Sequence, residues 1–317
     1  MTGVVLVGAG GVGRRHASVL AGLQVAVLAV VDAVPQAAAA LAAAHGAAAF
    51  TDTERALDEV KPDAVYVCTP PFARGPAERA ALHRGLALFA EKPLAADLAV
   101  AEEIAELAQQ AGVVTGTGYH WRGLDTVARA AQLLGAAPPR LASGYWLDKR
   151  PPVAWWGRRD GSGGQVVEQL THVLDLARVL LGEAQEVYAV AAGGDPVDPG
   201  VVDHATAATV RFRSGAVATF AATCVLGAKA AAGLDVFAPG LRLRLSETSL
   251  GIDDGSGERR IEPVEDPRVL VDRAFIAAVR GEPTGIVVPY PEALRTHRLG
   301  CAIARSARSG APERLEP

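Results

Sequence analysis

The first third of the chain alternates short apolar runs with segments of helical periodicity, and this alternation predicts its fold. Strands that alternate with helices are typical of a parallel, doubly wound sheet with right-handed crossovers. We therefore predict an α/β domain with a parallel, doubly wound sheet. Its predicted strands lie at residues 4–7, 25–31, 48–50, 64–69, 86–90 and 113–117, with helices between them at about 14–20, 35–44, 53–60, 73–84 and 97–111.

The pattern changes after Arg122, and beyond residue 181 strand-like runs follow one another without long helices between them. Ser214-Gly215 joins two of these runs as a hairpin, so we predict an open antiparallel sheet in an α+β domain. The predicted domains are residues 1–122 and 123–317, with a final helix at about 291–309. Other elements are predicted as strands at 140–146, 186–191, 205–212, 216–223, 233–237 and 241–245, and helices at 125–134, 163–181 and 269–280.

The first apolar run ends in Gly8-Ala9-Gly10-Gly11-Val12-Gly13, a G-x-G-x-x-G loop between a strand and a helix. The first glycine permits a tight turn, and the second lets backbone amides approach a pyrophosphate. The third allows close packing of the helix on the strand. The helix N-terminus adds partial positive charge beneath the phosphates. We predict a dinucleotide site formed by Gly8, Gly10, Gly11, Val12 and Gly13.

Asp32 follows the second apolar run, where a carboxylate can accept both hydroxyls of an adenosine ribose and repels a 2′-phosphate. This favours NAD over NADP. The alternative is that Asp32 only caps the next helix. Arg14 and Arg15 leave a further alternative open, because a nearby arginine can accommodate a 2′-phosphate or simply neutralise the pyrophosphate.

Two later strand ends fall on the same predicted edge of the sheet, where such folds bind ligands. Thr69 and Pro70 offer a rigid wall for the cofactor, although a Pro-Pro stop between strand and helix explains them equally well. Glu91-Lys92-Pro93 places a lysine at the edge of the cofactor crevice, where it can donate or relay a proton. Pro93 stiffens that turn.

The segment from residue 163 to 181, interpreted as one helix, places Glu168, His172 and Asp175 along one stripe. A buried helix needs a partner or a ligand for such polar groups. The alternative is a structural core histidine beside a surface glutamate. The preceding loop, residues 149–159, is aromatic and basic, with Trp155 and Trp156, and we interpret it as a ligand lid or subunit contact.

Bulk properties narrow the possible functions. The net charge is −4 without long runs of one sign, which gives no electrostatic case for nucleic acid. No apolar run approaches the length of a membrane span, and the N-terminus enters an apolar strand without a signal-peptide n-region. The three cysteines have no metal-ligand spacing. We therefore expect a cytoplasmic protein with no metal site.

Three motifs in this order make the chain resemble the Gfo/Idh/MocA oxidoreductases, the family of glucose-fructose oxidoreductase and inositol 2-dehydrogenase. They are Gly8-x-Gly10-x-x-Gly13, Glu91-Lys92-Pro93, and Gly163-Gly164 followed by Glu168-x-x-x-His172-x-x-Asp175. The resemblance covers essentially the whole chain. Where the family usually has Asp four residues before the histidine, this chain has Glu168.

The resemblance implies that the last helix packs back on the Rossmann domain and that the second sheet mediates a homodimer or homotetramer. It also implies hydride transfer between NAD and a carbon bearing a hydroxyl or keto group of a sugar, polyol or sugar derivative. Lys92 and His172 then handle the hydroxyl proton, with Glu168 as a third catalytic candidate, and the bond before Pro93 is often cis. The predicted cofactor residues include Thr69, Pro70, Glu91 and Lys92, and the predicted substrate residues are Tyr119, Arg122, Trp155, Trp156, Glu168, His172 and Asp175.

Two other functions stay open. The same site can carry a transient oxidation that permits glycoside cleavage, as in some members of the family. A dinucleotide-sensing regulator without turnover is the other, although such a protein has no need of the intact lysine and histidine.

Overall fold

The computed structural model describes residues 2–195, 197–285 and 288–316, and it divides into two compact units. The first unit comprises Met1–His120 and Pro267–Leu294, and the second comprises Trp121–Asp266 and Arg295–Pro317. Each unit is therefore built from two separate stretches of the chain. None of the described helices is long and apolar enough to cross a membrane.

The described part of the first unit contains a six-stranded parallel sheet, and this confirms the predicted doubly wound fold. The strand order is β3-β2-β1-β4-β5-β6, so the direction of winding reverses between β1 and β4, where such sheets bind ligands. The strands are β1 (Gly3–Val7), β2 (Ala26–Val31), β3 (Ala48–Phe50), β4 (Ala64–Val67), β5 (Ala87–Ala90) and β6 (Thr115–Thr117). The helices between them are α1 (Gly11–Gly22), α2 (Pro35–His45), α3 (Thr53–Val60), α4 (Pro76–His83) and α5 (Leu98–Ala111).

Both faces of this sheet are buried, as the continuous apolar runs of its strands require. Along β1, Val5 and Val7 belong to one core cluster, and Val4 and Leu6 belong to the cluster on the other face. This alternation follows from the two-residue period of a strand.

The start of α3 is also determined by the local sequence. Asp52 accepts a 3.0 Å hydrogen bond from the Arg55 amide and so caps the first turn of this helix.

A late segment of the chain completes the first unit. Helix α10 (Pro267–Val279) contributes Phe275 to the core of this unit, and a Cβ at Gly116 would lie 2.9 Å from the Phe275 ring. The last long helix, α11 (Tyr290–Ser309), is shared: its first turn, with Tyr290, packs in the first unit, whereas Ile303 lies in the core of the second. The helix predicted at 291–309 thus begins in the first unit and continues in the second, whereas α10 lies entirely in the first.

The described part of the second unit contains a nine-stranded sheet in the order β14-β13-β12-β11-β7-β10-β9-β8-β15. Its strands are β7 (Leu141–Leu147), β8 (Ala184–Ala192), β9 (Ala205–Phe212), β10 (Val217–Thr223), β11 (Ala231–Ala238), β12 (Leu241–Ser246), β13 (Ser249–Asp253), β14 (Glu258–Ile261) and β15 (Glu313–Arg314). The last three were not predicted. Neighbouring strands are antiparallel except for β7 and β10, which are parallel, so the predicted antiparallel sheet is confirmed as a mixed, mostly antiparallel one. The parallel pair arises because β10 joins β7 only after a long excursion that includes two other strands.

One face of this sheet is buried and the other is not. Along β10, Phe220 is buried while Val217 is exposed. Helix α6 (Asp125–Ala136) and helix α9 (Thr171–Leu181) contribute to the buried side. We call the opposite side the open face; it carries the exposed side chains of Leu141, Tyr188, Val190 and Val217.

The segment predicted as one helix at 163–181 is interrupted. Short helices α7 (Arg159–Ser162) and α8 (Gln165–Glu168) precede α9, which begins only at Thr171. The amide of Leu170 donates to the Gln165 carbonyl five residues back, and the regular helical spacing is lost there. Glu168 and His172 therefore lie on different helices, and the predicted continuous stripe does not form.

Candidate functional site

The glycine loop lies at the carboxyl end of β1 and is tightly packed on one side. Gly8 has a φ of +103°, and a Cβ there would lie 2.8 Å from the Cys68 carbonyl. A Cβ at Gly13 would lie 1.9 Å from the Gly8 carbonyl oxygen. At Gly10 and Gly11, apart from the adjacent residues and the backbone of α1 itself, no atom of the described residues lies within 4 Å of such a Cβ. The loop is thus closed towards the protein and open before α1, as a phosphate cradle requires.

Asp32 ties the end of β2 to this loop. Its Oδ2 accepts a 2.7 Å hydrogen bond from the Ala9 amide, and its Oδ1 accepts one of 2.8 Å from the Val34 amide. The carboxylate therefore binds the glycine loop directly, beyond the helix-capping role that was the alternative. Since each carboxylate oxygen has two lone pairs, capacity to accept ribose hydroxyls is retained.

Arg15 is directed towards the Glu91-Lys92-Pro93 turn. Its guanidinium donates a 2.8 Å hydrogen bond to Glu91 Oε1, and the Arg15 side chain is one-third exposed. Arg14 is exposed. Of the two arginines that could accommodate a 2′-phosphate, one is therefore engaged by a carboxylate.

Lys92 follows β5 at the same edge of the sheet, and its main chain is held by its neighbour. Glu91 is buried, and its Oε2 accepts a 2.9 Å hydrogen bond from the Lys92 amide. The Lys92–Pro93 peptide bond is cis. Thr69 and Pro70 follow β4, and the Thr69 carbonyl accepts a 2.9 Å hydrogen bond from Arg74 Nε. The residues predicted around the cofactor thus meet at the carboxyl ends of β1, β2, β4 and β5.

His16 is a feature of this edge that the sequence analysis missed. It is buried on α1, with Nε2 2.9 Å from Glu91 Oε1 and Nδ1 2.8 Å from Asp272 Oδ2. We call Arg15, His16, Glu91 and Asp272 the His16 cluster. The only sequence signal was a histidine three residues after the last glycine of the loop, and nothing in local spacing connects it with Asp272.

Opposite charges set the protonation of the His16 cluster. Burial alone would lower the pKa of His16, but the charge and hydrogen bond of Asp272, with those of Glu91, raise that pKa to about 9. Burial would raise the pKa of Glu91, and the hydrogen bond and charge of His16, followed by Arg15, bring it well below its usual range. Burial raises the pKa of Asp272 even though His16 opposes it. Because two carboxylates face both ring nitrogens, we assign the proton to the imidazole.

In the second unit, His172 lies in the first turn of α9 within a group of aromatic rings. Its ring stacks on Trp121 with a centroid distance of 5.6 Å and an interplanar angle of 15°. Trp146 stacks on it at 6.1 Å, and Lys229 Nζ lies 4.2 Å from the centre of the Trp146 ring. His172 is buried, and the two indoles restrict the orientation of its ring.

Two predicted substrate residues are paired with each other. Arg122 Nε donates a 2.8 Å hydrogen bond to Asp175 Oδ2. The Thr296 hydroxyl donates one of 2.6 Å to Asp175 Oδ1, and Asp175 is buried. The carboxylate therefore organises the interior of the second unit, which local sequence spacing could not reveal.

The aromatic loop is anchored rather than open. Trp156 is buried, and its Nε1 donates a 2.7 Å hydrogen bond to Glu168 Oε2. It forms a small core with Val202 and Cys224, against which the half-buried Trp155 packs. Tyr119, another predicted substrate residue, is buried in the core of the first unit. Across residues 2–195, 197–285 and 288–316, no group of three His, Cys, Asp or Glu side chains is arranged to hold a metal ion.

The parallel sheet and the loop at its switch point define a dinucleotide-binding protein of the Rossmann type. Residues 2–119 match the family model described as oxidoreductase family, NAD-binding Rossmann fold, and residues 137–244 match the GFO/IDH/MocA C-terminal domain. The chain belongs to the Gfo/Idh/MocA oxidoreductase family.

Several known proteins that are similar to this chain are named as enzymes that act on sugars. A 1,5-anhydro-D-fructose reductase of Ensifer adhaerens is 30% identical over 191 residues, which cover 54% of this chain and 53% of that protein. The dTDP-3,4-didehydro-2,6-dideoxy-alpha-D-glucose 3-reductase of Streptomyces violaceoruber is 26% identical over 282 residues, covering 86% of this chain and 79% of that protein. The match to the first relative thus spans about half of its length. Among solved structures, levoglucosan dehydrogenase in complex with NADH superposes with a TM-score of 0.88, at 20% identity and with 99% of both chains covered, which shows the shared fold.

Proposed function

We propose that the protein is an NAD-dependent dehydrogenase or ketoreductase that acts on a CH–OH or keto carbon of a sugar, polyol or sugar derivative. The observation that carries this proposal is the glycine loop, open before α1 and tied to Asp32 at the edge of the sheet where Lys92 also lies. The names of the relatives support a carbohydrate substrate.

The residues of the first unit fit an NAD cofactor. Amides of the loop from Gly8 to Gly13 and the N-terminus of α1 bind the pyrophosphate, and Asp32 binds the adenosine ribose. The negative charge of Asp32 opposes a 2′-phosphate, and the engagement of Arg15 by Glu91 removes one possible counter-charge. When bound, the nicotinamide supplies the hydride chemistry.

Lys92 and His172 handle the hydroxyl proton as oxidation or reduction of the carbon proceeds. The hydrogen bond from the Lys92 amide to Glu91 fixes the main chain from which the lysine side chain extends. The stacked indoles fix the plane of the His172 ring. Trp155 is an aromatic surface suited to a sugar ring. Glu168, Trp156, Arg122 and Asp175 act indirectly, since their polar groups bind one another.

Turnover with a panel of substrates tests this function. The protein is incubated with NAD⁺ and sugars or polyols, and with NADH and keto-sugars, while nicotinamide absorbance is followed. We expect His172→Ala and Lys92→Met to abolish turnover and to change the Kd for NADH by less than about threefold, because neither side chain is assigned to the dinucleotide phosphates or ribose. His204→Ala, which removes an exposed histidine of the same unit as His172, serves as the control. Full activity of His172→Ala would remove that residue from the reaction.

The open face supports a homodimer or homotetramer through the second unit. An extended sheet surface with exposed Tyr188, Val190 and Val217 is typical of subunit contacts. Light scattering after gel filtration measures the assembly, and Val190→Lys is expected to reduce its mass. A monomeric wild-type protein at micromolar concentration would contradict this assignment.

A cytoplasmic location is consistent with the cysteines. Cys224 and Cys301 are buried thiols, Cys68 is a half-buried one, and none of the three forms a disulfide. Fractionation of cells that express the tagged protein tests the location directly, and recovery outside the cytoplasmic fraction would contradict it.

A further inference from the structure

The His16 cluster joins three segments that are distant in sequence. His16 lies on α1, immediately beyond the glycine loop, while Glu91 follows β5 and Asp272 lies on α10. Both carboxylates are buried, at 4% and 0% exposure, and His16 is 2% exposed. A buried carboxylate needs a compensating charge and hydrogen bonds. One imidazolium serves both of them, and Arg15 adds a second cation at Glu91.

Glu91 connects the His16 cluster to the main chain of Lys92 by hydrogen bonds. Its Oε1 is held by His16 and Arg15, while its Oε2 accepts the hydrogen bond from the Lys92 amide. The main chain at Gly118 packs closely against this carboxylate, because a Cβ at Gly118 would lie 2.3 Å from Glu91 Oε2. A rotation of the Glu91 side chain would therefore break its hydrogen bond to Lys92 or strike the main chain of residue 118.

We propose that His16 is a positioning residue for Lys92: its imidazolium fixes Glu91, and Glu91 fixes the main chain of the Glu91-Lys92-Pro93 turn relative to the glycine-loop helix. The expected effect of His16 on catalysis rests on the proposed function. The dependence of the placement of Lys92 on His16 does not, and it can be measured without any substrate.

The groups around His16 indicate how its hold on Glu91 depends on pH. Facing the imidazole are Asp272 from α10, Glu91 after β5, Arg15 on its own helix, and the rings of Tyr66 and Phe89, with Cys68 coupled electrostatically to the same carboxylates. Below pH 9 the imidazole is charged and donates on both sides. Above that pH one ring nitrogen presents a lone pair to a carboxylate, and the hold on Glu91 weakens.

The first experiment measures the chemical reactivity of Lys92. The protein is treated briefly with an amine-acylating reagent, and peptides are quantified by mass spectrometry. The chain has only three other lysines, Lys61, Lys149 and Lys229, which serve as internal references. We expect His16→Gln to change the labelling rate of Lys92 by at least about threefold while the three references stay unchanged. In the wild-type protein, the ratio of Lys92 to Lys61 labelling is expected to deviate near pH 9 from the curve of a single lysine, and this deviation should be absent in His16→Gln. Identical Lys92 rates and pH profiles in the two proteins would overturn the proposal.

The second experiment separates positioning from stability. For His16→Gln we expect kcat to fall by about 10- to 100-fold, the effect of a displacement of about 1 Å in a reacting group, with a change in the NADH Kd of less than about threefold. Gly118→Ala displaces Glu91 from the opposite side without removing a charge, and should lower kcat in the same way. Asp63→Ala, which removes the acceptor of the Gly3 amide at the amino end of β1, is the matched control and should leave kcat unchanged.

The outcomes distinguish the two proposals. If no substrate turns over but Lys92 labelling depends on His16, the proposed function fails and the positioning role stands. If the wild-type enzyme turns over and both His16→Gln and Gly118→Ala retain full kcat, the positioning role is wrong while the proposed function stands. Should His16→Gln fail to fold, Gly118→Ala and the wild-type pH profile decide the question.

Discussion

A methyl group added at Gly13 would clash with the backbone of the glycine loop. The Cβ would lie 1.9 Å from the Gly8 carbonyl oxygen, whereas ordinary contacts begin at 3.4 Å. Since neither atom belongs to a flexible side chain, α1 must move by roughly 1.5 Å or the loop must open. Overpacking of this kind costs about 1–3 kcal/mol. For a chain of 317 residues, with an entropy of unfolding of about 0.7 kcal/mol/K, the corresponding decrease in Tm is about 2–5 °C.

Two other glycines of the same segment separate stability from binding. Gly10→Ala places its methyl where no described atom lies within 4 Å, so we expect little change in Tm. The same methyl occupies space assigned to the pyrophosphate, and we expect the NADH Kd to rise at least about tenfold, or 1.4 kcal/mol. Gly22→Ala, at the far end of α1, also has open space, and should keep wild-type NADH affinity with a Tm equal or higher.

Thermal unfolding followed by circular dichroism and NADH binding followed by fluorescence are measured on all three variants. We expect Gly13→Ala to lower both the Tm and the affinity for NADH. Gly10→Ala should lower the affinity for NADH alone, and Gly22→Ala should lower neither. Wild-type affinity in Gly10→Ala would refute the assignment of the loop to the cofactor. A wild-type Tm in Gly13→Ala would refute the packing argument.

Three further predictions concern single charges. Asp32→Ala should weaken NADH more than NADPH in a binding titration, with some loss for both because the Ala9 amide loses its acceptor; equal losses would contradict the NAD preference. Asp175→Ala removes the acceptor of Arg122 and should lower the free energy of unfolding by about 3–5 kcal/mol in urea titrations, and a change below about 1 kcal/mol would contradict its buried role. The raised pKa of His16 stabilises the fold fully below pH 6.5, by about 3 kcal/mol, and this contribution is lost as the pH rises through about 9. Urea titrations of the wild type from pH 6 to 10 should show this decline, and His16→Phe should show a flatter profile.

Most of the first unit could be predicted from the sequence because its signals are local. The glycine loop, Asp32 and Glu91-Lys92-Pro93 each follow an apolar run directly, and parallel strands bring their carboxyl ends to one edge. The fold class was confirmed for the same reason. Strand ends differ by a residue or two, since periodicity does not mark where hydrogen bonding stops.

What the sequence could not supply were interactions between distant residues. The partner of Asp175 is Arg122, 53 positions earlier, and the partner of His16 is Asp272, 256 positions later. Hydrophobic periodicity also continued through Gln169 and Leu170, where the structure interrupts the helix. A local pattern can show that a polar group is buried, but the group that satisfies it depends on the tertiary fold.

The return of α10 to the first unit has a consequence for the order of synthesis. A ribosome that has completed residues 1–120 has made all six strands of the parallel sheet, yet the segment that buries Phe89 and Tyr66 with Phe275 and supplies Asp272 emerges only some 150 residues later. Until then the nascent sheet exposes aromatic surface, and His16 lacks one of its two carboxylate partners. The first unit therefore finishes folding after almost all of the second has been translated, so the two units cannot mature one at a time in the order of the gene.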